Sequence, residues 1–160
     1  MDSQTLAAFL SPPVLAGFGL LIGSFLNVVI HRLPLMMDRG WRLDSAELLG
    51  VKIDEPAPIT LSTPRSRCPS CGHQITWYEN IPVLSYLVLR GKCSACKAPI
   101  STRYPAVEIV TALLFAACGW HFGARLETLL WCGFVATLVA LALIDVDTQF
   151  LPDDLTLPLL

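Results

Sequence analysis

Three observations predict an all-α polytopic membrane protein with a cytoplasmic zinc-ribbon-like insertion between its first and second transmembrane helices. The 160 residues are 54% hydrophobic and only 15% charged, too apolar for an ordinary soluble domain. Ten of the eleven Lys and Arg residues lie between Arg32 and Arg103, with long cation-free runs on either side. Inside that basic stretch stand two Cys-x-x-Cys pairs, Cys68-Pro-Ser-Cys71 and Cys93-Ser-Ala-Cys96, at the separation used by zinc ribbons. The net charge of -2 gives no reason to expect nucleic acid as a partner; the expected surroundings are the lipid bilayer. No internal repeat or low-complexity tract is visible.

The first apolar run, Val14 to Ile30, is uncharged and follows the Pro12-Pro13 break. As a helix it rises about 25 Å, enough to span a bilayer together with the apolar residues before Ser11. It lacks the basic start and the small-x-small site of a cleaved signal peptide. Gly19, Gly23 and Asn27 recur at four-residue spacing, a groove where a second helix can approach closely, and the Asn27 amide at that depth needs a partner. His31-Arg32-Leu33-Pro34 is the expected stop, with cations at the last turn and a proline that cannot continue the ladder.

Beyond it, residues to about Pro64 read as a polar excursion with one short amphipathic helix through Asp44 to Leu49. The cysteine module follows at 65–103. Pro69, Gly72, Gly91 and Lys92 supply turn chemistry that can aim backbone amides at bound thiolates. Four sulfurs close a tetrahedral site and leave no position for substrate, so Cys68, Cys71, Cys93 and Cys96 are expected to hold a structural zinc. Two disulfides or two redox motifs are the alternatives. Trp77, Tyr78 and Tyr86, between the pairs, can cover the site or dip into the membrane surface.

A second apolar run spans Ala106 to Trp120, with Glu108 expected to cap its first turn or to meet a cation. After a polar connection, His121 to Thr128, a third run covers Leu129 to Ile144. Cys118 and Cys132 within these runs read as small packing residues. Cations flank the long loop, against Arg125 alone on the other side, so the loop is expected in the cytoplasm, where reducing conditions favour metal over disulfide.

An acidic cluster, Asp145-Val146-Asp147 and then Asp153-Asp154, follows the third run. A carboxylate at a helix C-terminus faces the negative end of the dipole, so Asp145 requires a reason. It either marks the water boundary, or it is one member of a carboxylate pair that shares a proton and activates water. Asp147 points away from Asp145 on a continuing helix, so a dyad needs an acid from elsewhere. Asp153 or Asp154 can cap the next helix, where an apolar run begins at Leu155.

Six stretches together resemble the type 4 prepilin leader peptidases. They are Gly23-Ser24-Phe25-Leu26-Asn27-Val28-Val29-Ile30-His31-Arg32-Leu33-Pro34, the two cysteine pairs, Glu79-Asn80-Ile81-Pro82, Arg103-Tyr104-Pro105-Ala106-Val107-Glu108, and Ile144-Asp145-x-Asp147-x-x-x-Leu151-Pro152-Asp153. The resemblance implies a multi-pass inner-membrane aspartic peptidase that cuts the basic leader from type IV prepilins and type II secretion pseudopilins. Many members also N-methylate the new terminus with S-adenosylmethionine. It further implies that Asp145 is catalytic and that the four cysteines belong to a cytoplasmic domain. The expected division is a first transmembrane helix at 1–30, a cytoplasmic loop at 31–105, and the start of the peptidase domain at 106–160. The family's second aspartate, in Gly-x-Gly-Asp, is not among these residues, so the chain is expected to be a fragment holding half a dyad. No glycine-rich pattern for S-adenosylmethionine is visible either. Two other readings remain: a membrane thiol-disulfide oxidoreductase, and a zinc-bearing membrane module without catalysis.

Overall fold

The computed structural model describes residues 3–54, 57–149 and 151–157. Its elements are α1 (Ser3–Phe9), α2 (Pro12–Leu48), a 3-10 turn (Tyr78–Asn80), α3 (Leu84–Val88), α4 (Arg103–Phe122), α5 (Leu126–Thr148) and α6 (Asp153–Thr156). There is no β-strand among the described residues, only the isolated bridges Arg67 to Gln74 and Lys92 to Pro99. Helices α2, α4 and α5 are each long and apolar enough to cross a membrane.

The pairing of α2 with α4 follows from side chains that are missing. A Cβ on Gly19 would stand 2.6 Å from the Ala112 Cα, and one on Gly23 2.6 Å from the Glu108 Cα. Only hydrogen at these two positions lets the backbones approach so closely. One turn further on, the Asn27 Nδ2 donates to the Tyr104 carbonyl at 3.1 Å and to the Gly23 carbonyl at 3.2 Å, the partners its depth demanded. The register 19 to 112, 23 to 108 and 27 to 104 makes the two helices antiparallel. Helix α5 joins them through another four-residue stripe, Cys132, Ala136, Ala140 and Ile144, packed with Leu26, Ile30, Val107 and Phe115. Cys118 and Cys132 are both buried in this core.

Helix boundaries correct several expectations. Helix α2 does not stop at His31-Arg32-Leu33-Pro34 but carries Pro34 in its interior and runs on to Leu48. The expected short helix from Asp44 is its last turns. A proline removes one ladder bond without forbidding the residues after it, and here the returning chain braces that region. The Arg32 guanidinium donates to the Thr60 and Pro64 carbonyls at 2.8 and 2.7 Å, while Asp38 and Arg42 pair one turn apart at 2.7 Å. Helix α4 starts at Arg103, not Ala106, and α5 at Leu126, so residues 123–125 alone connect them. The Thr128 hydroxyl closes that corner by donating to the Gly123 carbonyl at 2.7 Å. Asp153 is not a cap: Pro152 flanks α6 with no side-chain cap bond, and Asp153 is the first helical residue. The Asp154 side chain and residues 158–160, where the last apolar run continues, lie outside the described residues.

Candidate functional site

Each Cys-x-x-Cys pair forms a knuckle held by the same three backbone bonds. In the first, the Cys68 amide donates to the His73 carbonyl at 2.8 Å, Gly72 to Cys68 at 2.9 Å, and Ile75 to Ser66 at 2.9 Å. In the second, Cys93 donates to Ala98 at 2.8 Å, Lys97 to Cys93 at 3.1 Å, and Ile100 to Gly91 at 2.7 Å. Residues 66–75 and 91–100 are therefore a structural repeat, contrary to the sequence reading of none. Left-handed backbone falls at matching places, Gly72 (φ 72°) and Lys97 (φ 61°).

The two knuckles bring all four Sγ atoms within 4.8 Å of one another, with Cys68 and Cys96 at 3.8 Å. Zinc–sulfur bonds of about 2.3 Å place tetrahedral sulfurs about 3.8 Å apart, so the donor set fits zinc in both chemistry and spacing. The electrostatics point the same way. The amides of Ser70 and Cys71 lower the Cys68 thiol to about 6, and those of Cys96 and Ala95 lower Cys93. At Cys71 the His73 amide favours the thiolate, but Cys96, burial and the other two sulfurs outweigh it and push the thiol up to about 12. Four crowded sulfurs cannot all ionise without a cation among them, and a divalent metal removes that conflict.

A polar network that the sequence reading missed locks one knuckle to the other. Glu79 accepts from the Thr76 amide at 2.8 Å and the Thr76 hydroxyl at 2.6 Å, and lies 3.3 Å from the His73 Nε2. His73 in turn meets the Ser94 hydroxyl at 3.2 Å, beside Cys93. The Ser94 hydroxyl, then Thr76 and His73, hold the Glu79 carboxyl down at about 2, and its side chain is only 8% exposed. The one signal available was an acid among prolines and aromatics, with a histidine two residues after Cys71. Of the aromatics, Tyr86 packs against Gly91 within the module, whereas Trp77 and Tyr78 are exposed.

The carboxylates sort differently from their spacing. Asp147, in the last turn of α5, takes both guanidinium nitrogens of Arg103 at 2.7 and 2.6 Å, tying the end of α5 to the start of α4. Asp145 is exposed, and among the described residues its carboxylate has no hydrogen-bond or ion-pair partner. Glu108 is not in the first turn of α4 and, among the described residues, meets no cation. It is the sixth residue of the helix, buried, and accepts the Val83 amide at 2.7 Å. The described residues thus bring the four cysteines together and leave Asp145 apart from them.

The chain matches the family model described as Bacterial Peptidase A24 N-terminal domain over residues 18–122. Among curated proteins it is 51% identical over 140 residues to the prepilin leader peptidase/N-methyltransferase of Pseudomonas putida, covering 88% of this chain and 49% of that one. The protein of the same description from Pseudomonas aeruginosa is 52% identical over 143 residues, 89% of this chain and 49% of that one. The one from Neisseria gonorrhoeae is 47% identical over 161 residues, 99% and 56% respectively. The chain spans about half the length of these curated relatives. No solved structure matches it.

Proposed function

The chain belongs to the family of the bacterial peptidase A24 N-terminal domain, and from that premise we propose that the protein is an inner-membrane prepilin peptidase with Asp145 as a catalytic carboxylate. The observation that carries the reading is the contrast within one helical turn: Asp147 is neutralised by Arg103, while Asp145 stands exposed and unpaired at the end of an apolar helix. An unpaired acid there can take a proton from water and return it to a leaving amine, provided a second carboxylate shares the work. Asp147 does not fill that role, because Arg103 holds both of its carboxylate oxygens. The substrates are type IV prepilins and pseudopilins, whose basic leader stays in the cytoplasm while their apolar helix lies in the bilayer, so the bond to be cut meets Asp145 at the boundary between the two.

The cysteine module faces the cytoplasm in this reading, supported by the cations that flank it. Cys68, Cys71, Cys93 and Cys96 hold zinc there, which when bound neutralises the thiolates and fixes the two knuckles face to face. The gathering of four sulfurs into one cluster supports a metal over two independent redox pairs. Methylation enters only through the description of the relatives. Among the described residues no strand–glycine turn–helix unit offers a place for S-adenosylmethionine.

The test is Asp145→Asn in the full-length protein, assayed for prepilin cleavage in membranes. Cleavage is expected to vanish, with insertion and zinc content unchanged; cleavage at the normal rate would overturn the assignment.

A further inference from the structure

Between the knuckles lies a stretch whose position along the helices is not that of a surface loop. From Asn80 to Leu89 (NIPVLSYLVL) no residue is charged. The Val83 amide reaches the carboxylate of Glu108, five residues into α4 from Arg103. Five residues of helix rise about 7.5 Å, so the Glu108 backbone lies that far along α4 from Arg103, toward the apolar side, with Val83 at the end of its side chain. The other helix gives the same answer: Glu108 is against Gly23, near the middle of the uncharged Val14 to Ile30 run and nine residues, about 14 Å of rise, from Arg32. Ile81 to Leu84 face Val14, Phe18 and Leu21 of α2 across an open groove with almost no polar lining.

We propose that residues 81–89 form a re-entrant element immersed in the hydrocarbon of the bilayer, anchored at its turning point by Glu108 and lined on its outer side by lipid. Leu84, Leu87 and Val88 are 61%, 64% and 81% exposed, a cost in water that lipid removes. The surfaces beside them are α2 and α4 faces that also present Phe18, Leu21, Ile109 and Leu113, so the apolar exterior is continuous. Backbone can leave regular helix at such depth only if its polar groups are satisfied within the protein. The amides of Ser85, Leu87 and Leu89 bond within the segment, and that of Val83, whose left-handed φ of 58° turns the chain, is taken by Glu108. This gives a buried acid inside α4 a purpose. At the mouth, Trp77 and Tyr78 are exposed where amphipathic rings favour the headgroup layer, and Arg90 returns the chain to water. The five-residue α3 is about 7.5 Å long, enough to climb from Val83 back to the level of Arg103.

Spin labelling tests this on the full-length protein in bilayers, with zinc retained and Cys118 and Cys132 replaced by alanine. Nitroxides are placed through Leu84→Cys, Leu87→Cys and Val88→Cys, with Lys52→Cys as the water-exposed reference. Collisions with oxygen, which concentrates in lipid, are compared with those of a water-soluble chromium complex. Severalfold higher oxygen than chromium accessibility is expected at the three positions and the reverse at Lys52. High chromium accessibility at all three would overturn the proposal in favour of a surface loop. Low accessibility to both reagents would overturn it in favour of cover by another part of the protein. Glu108→Ala is expected to move the Leu84 label toward chromium while Glu108→Gln, which keeps an acceptor oxygen, does not; an unmoved label in Glu108→Ala overturns the anchor.

Discussion

Single carboxylates in this protein are distinguished by their partners more than by their place in the sequence. Asp145 and Asp147 are separated by about 200° around one helix, and only the second reaches Arg103. Glu79 is the opposite of Asp145, an acid with every oxygen engaged and a job that is architectural. Its contacts run to His73 on the first knuckle and through it to Ser94 on the second, so it fixes how the sulfur pairs face each other. Outer contacts of this kind typically change metal affinity by about 10- to 100-fold. Glu79→Ala is accordingly expected to speed zinc loss to a competing chelator about tenfold, read by a chromophoric indicator. The pH dependence has a definite sign. A carboxyl depressed from its ordinary 4.5 to about 2 contributes fully above the first value and loses its effect only as pH falls toward the second. Glu79 should therefore keep its charge from pH 8 to pH 5 and the variant should release zinc faster throughout that range, while any acceleration shared by both proteins reports protons competing for the thiolates.

At the scale of elements, the contact between α2 and α4 rests on two hydrogens. Gly23→Val would drive a side chain into the Glu108 backbone and the Thr111 side chain, 2.6 and 3.2 Å from the new Cβ. Neither backbone can yield without separating the helices, so a loss of about 1–3 kcal/mol or more is expected, measured as a lower melting temperature in detergent. Gly17 on the same helix has nothing within 4 Å, and Gly17→Ala should instead be neutral or stabilise by up to about 1 kcal/mol. Equal effects of the two substitutions would refute close packing as the reason for Gly23. The stripe was legible because four-residue spacing of small residues is itself the packing surface. The end of α2 was not: a local rule about Pro34 competes with Arg32 gripping carbonyls 28 and 32 residues away, and only the fold reveals that grip. The Arg103–Asp147 pair, 44 residues apart, was hidden for the same reason. The repeat of the knuckles escaped because hydrogen bonds between backbone groups reproduce a shape while sharing few side chains beyond the two cysteines and an isoleucine.

Taken as a whole molecule, the chain separates its cysteines into two populations with different environments. Cys118 and Cys132 lie in the core between α4 and α5, where apolar packing shields them. Of the loop cysteines, Cys71 and Cys96 are exposed, Cys68 is half-buried and Cys93 is buried beside them, so at the exposed pair a bound cation is what would keep the sulfurs from reacting. Amides already lower two of the four thiols, which makes the metal-free module a site of reactive thiolates rather than inert ones. Zinc and free thiols should thus trade one for four. In the folded protein purified with its metal, a thiol reagent is expected to find few reactive sulfurs; after chelation four more should react, with one equivalent of zinc released. Cys68→Ser should lose most of the zinc and show three reactive thiols without any chelator, because a three-sulfur site lacks its fourth donor. If instead the wild-type protein yields four reactive thiols only after a reductant, and chelation changes nothing, the pairs are redox couples and the metal reading of the module is wrong, while the packing of α2, α4 and α5 would stand untouched.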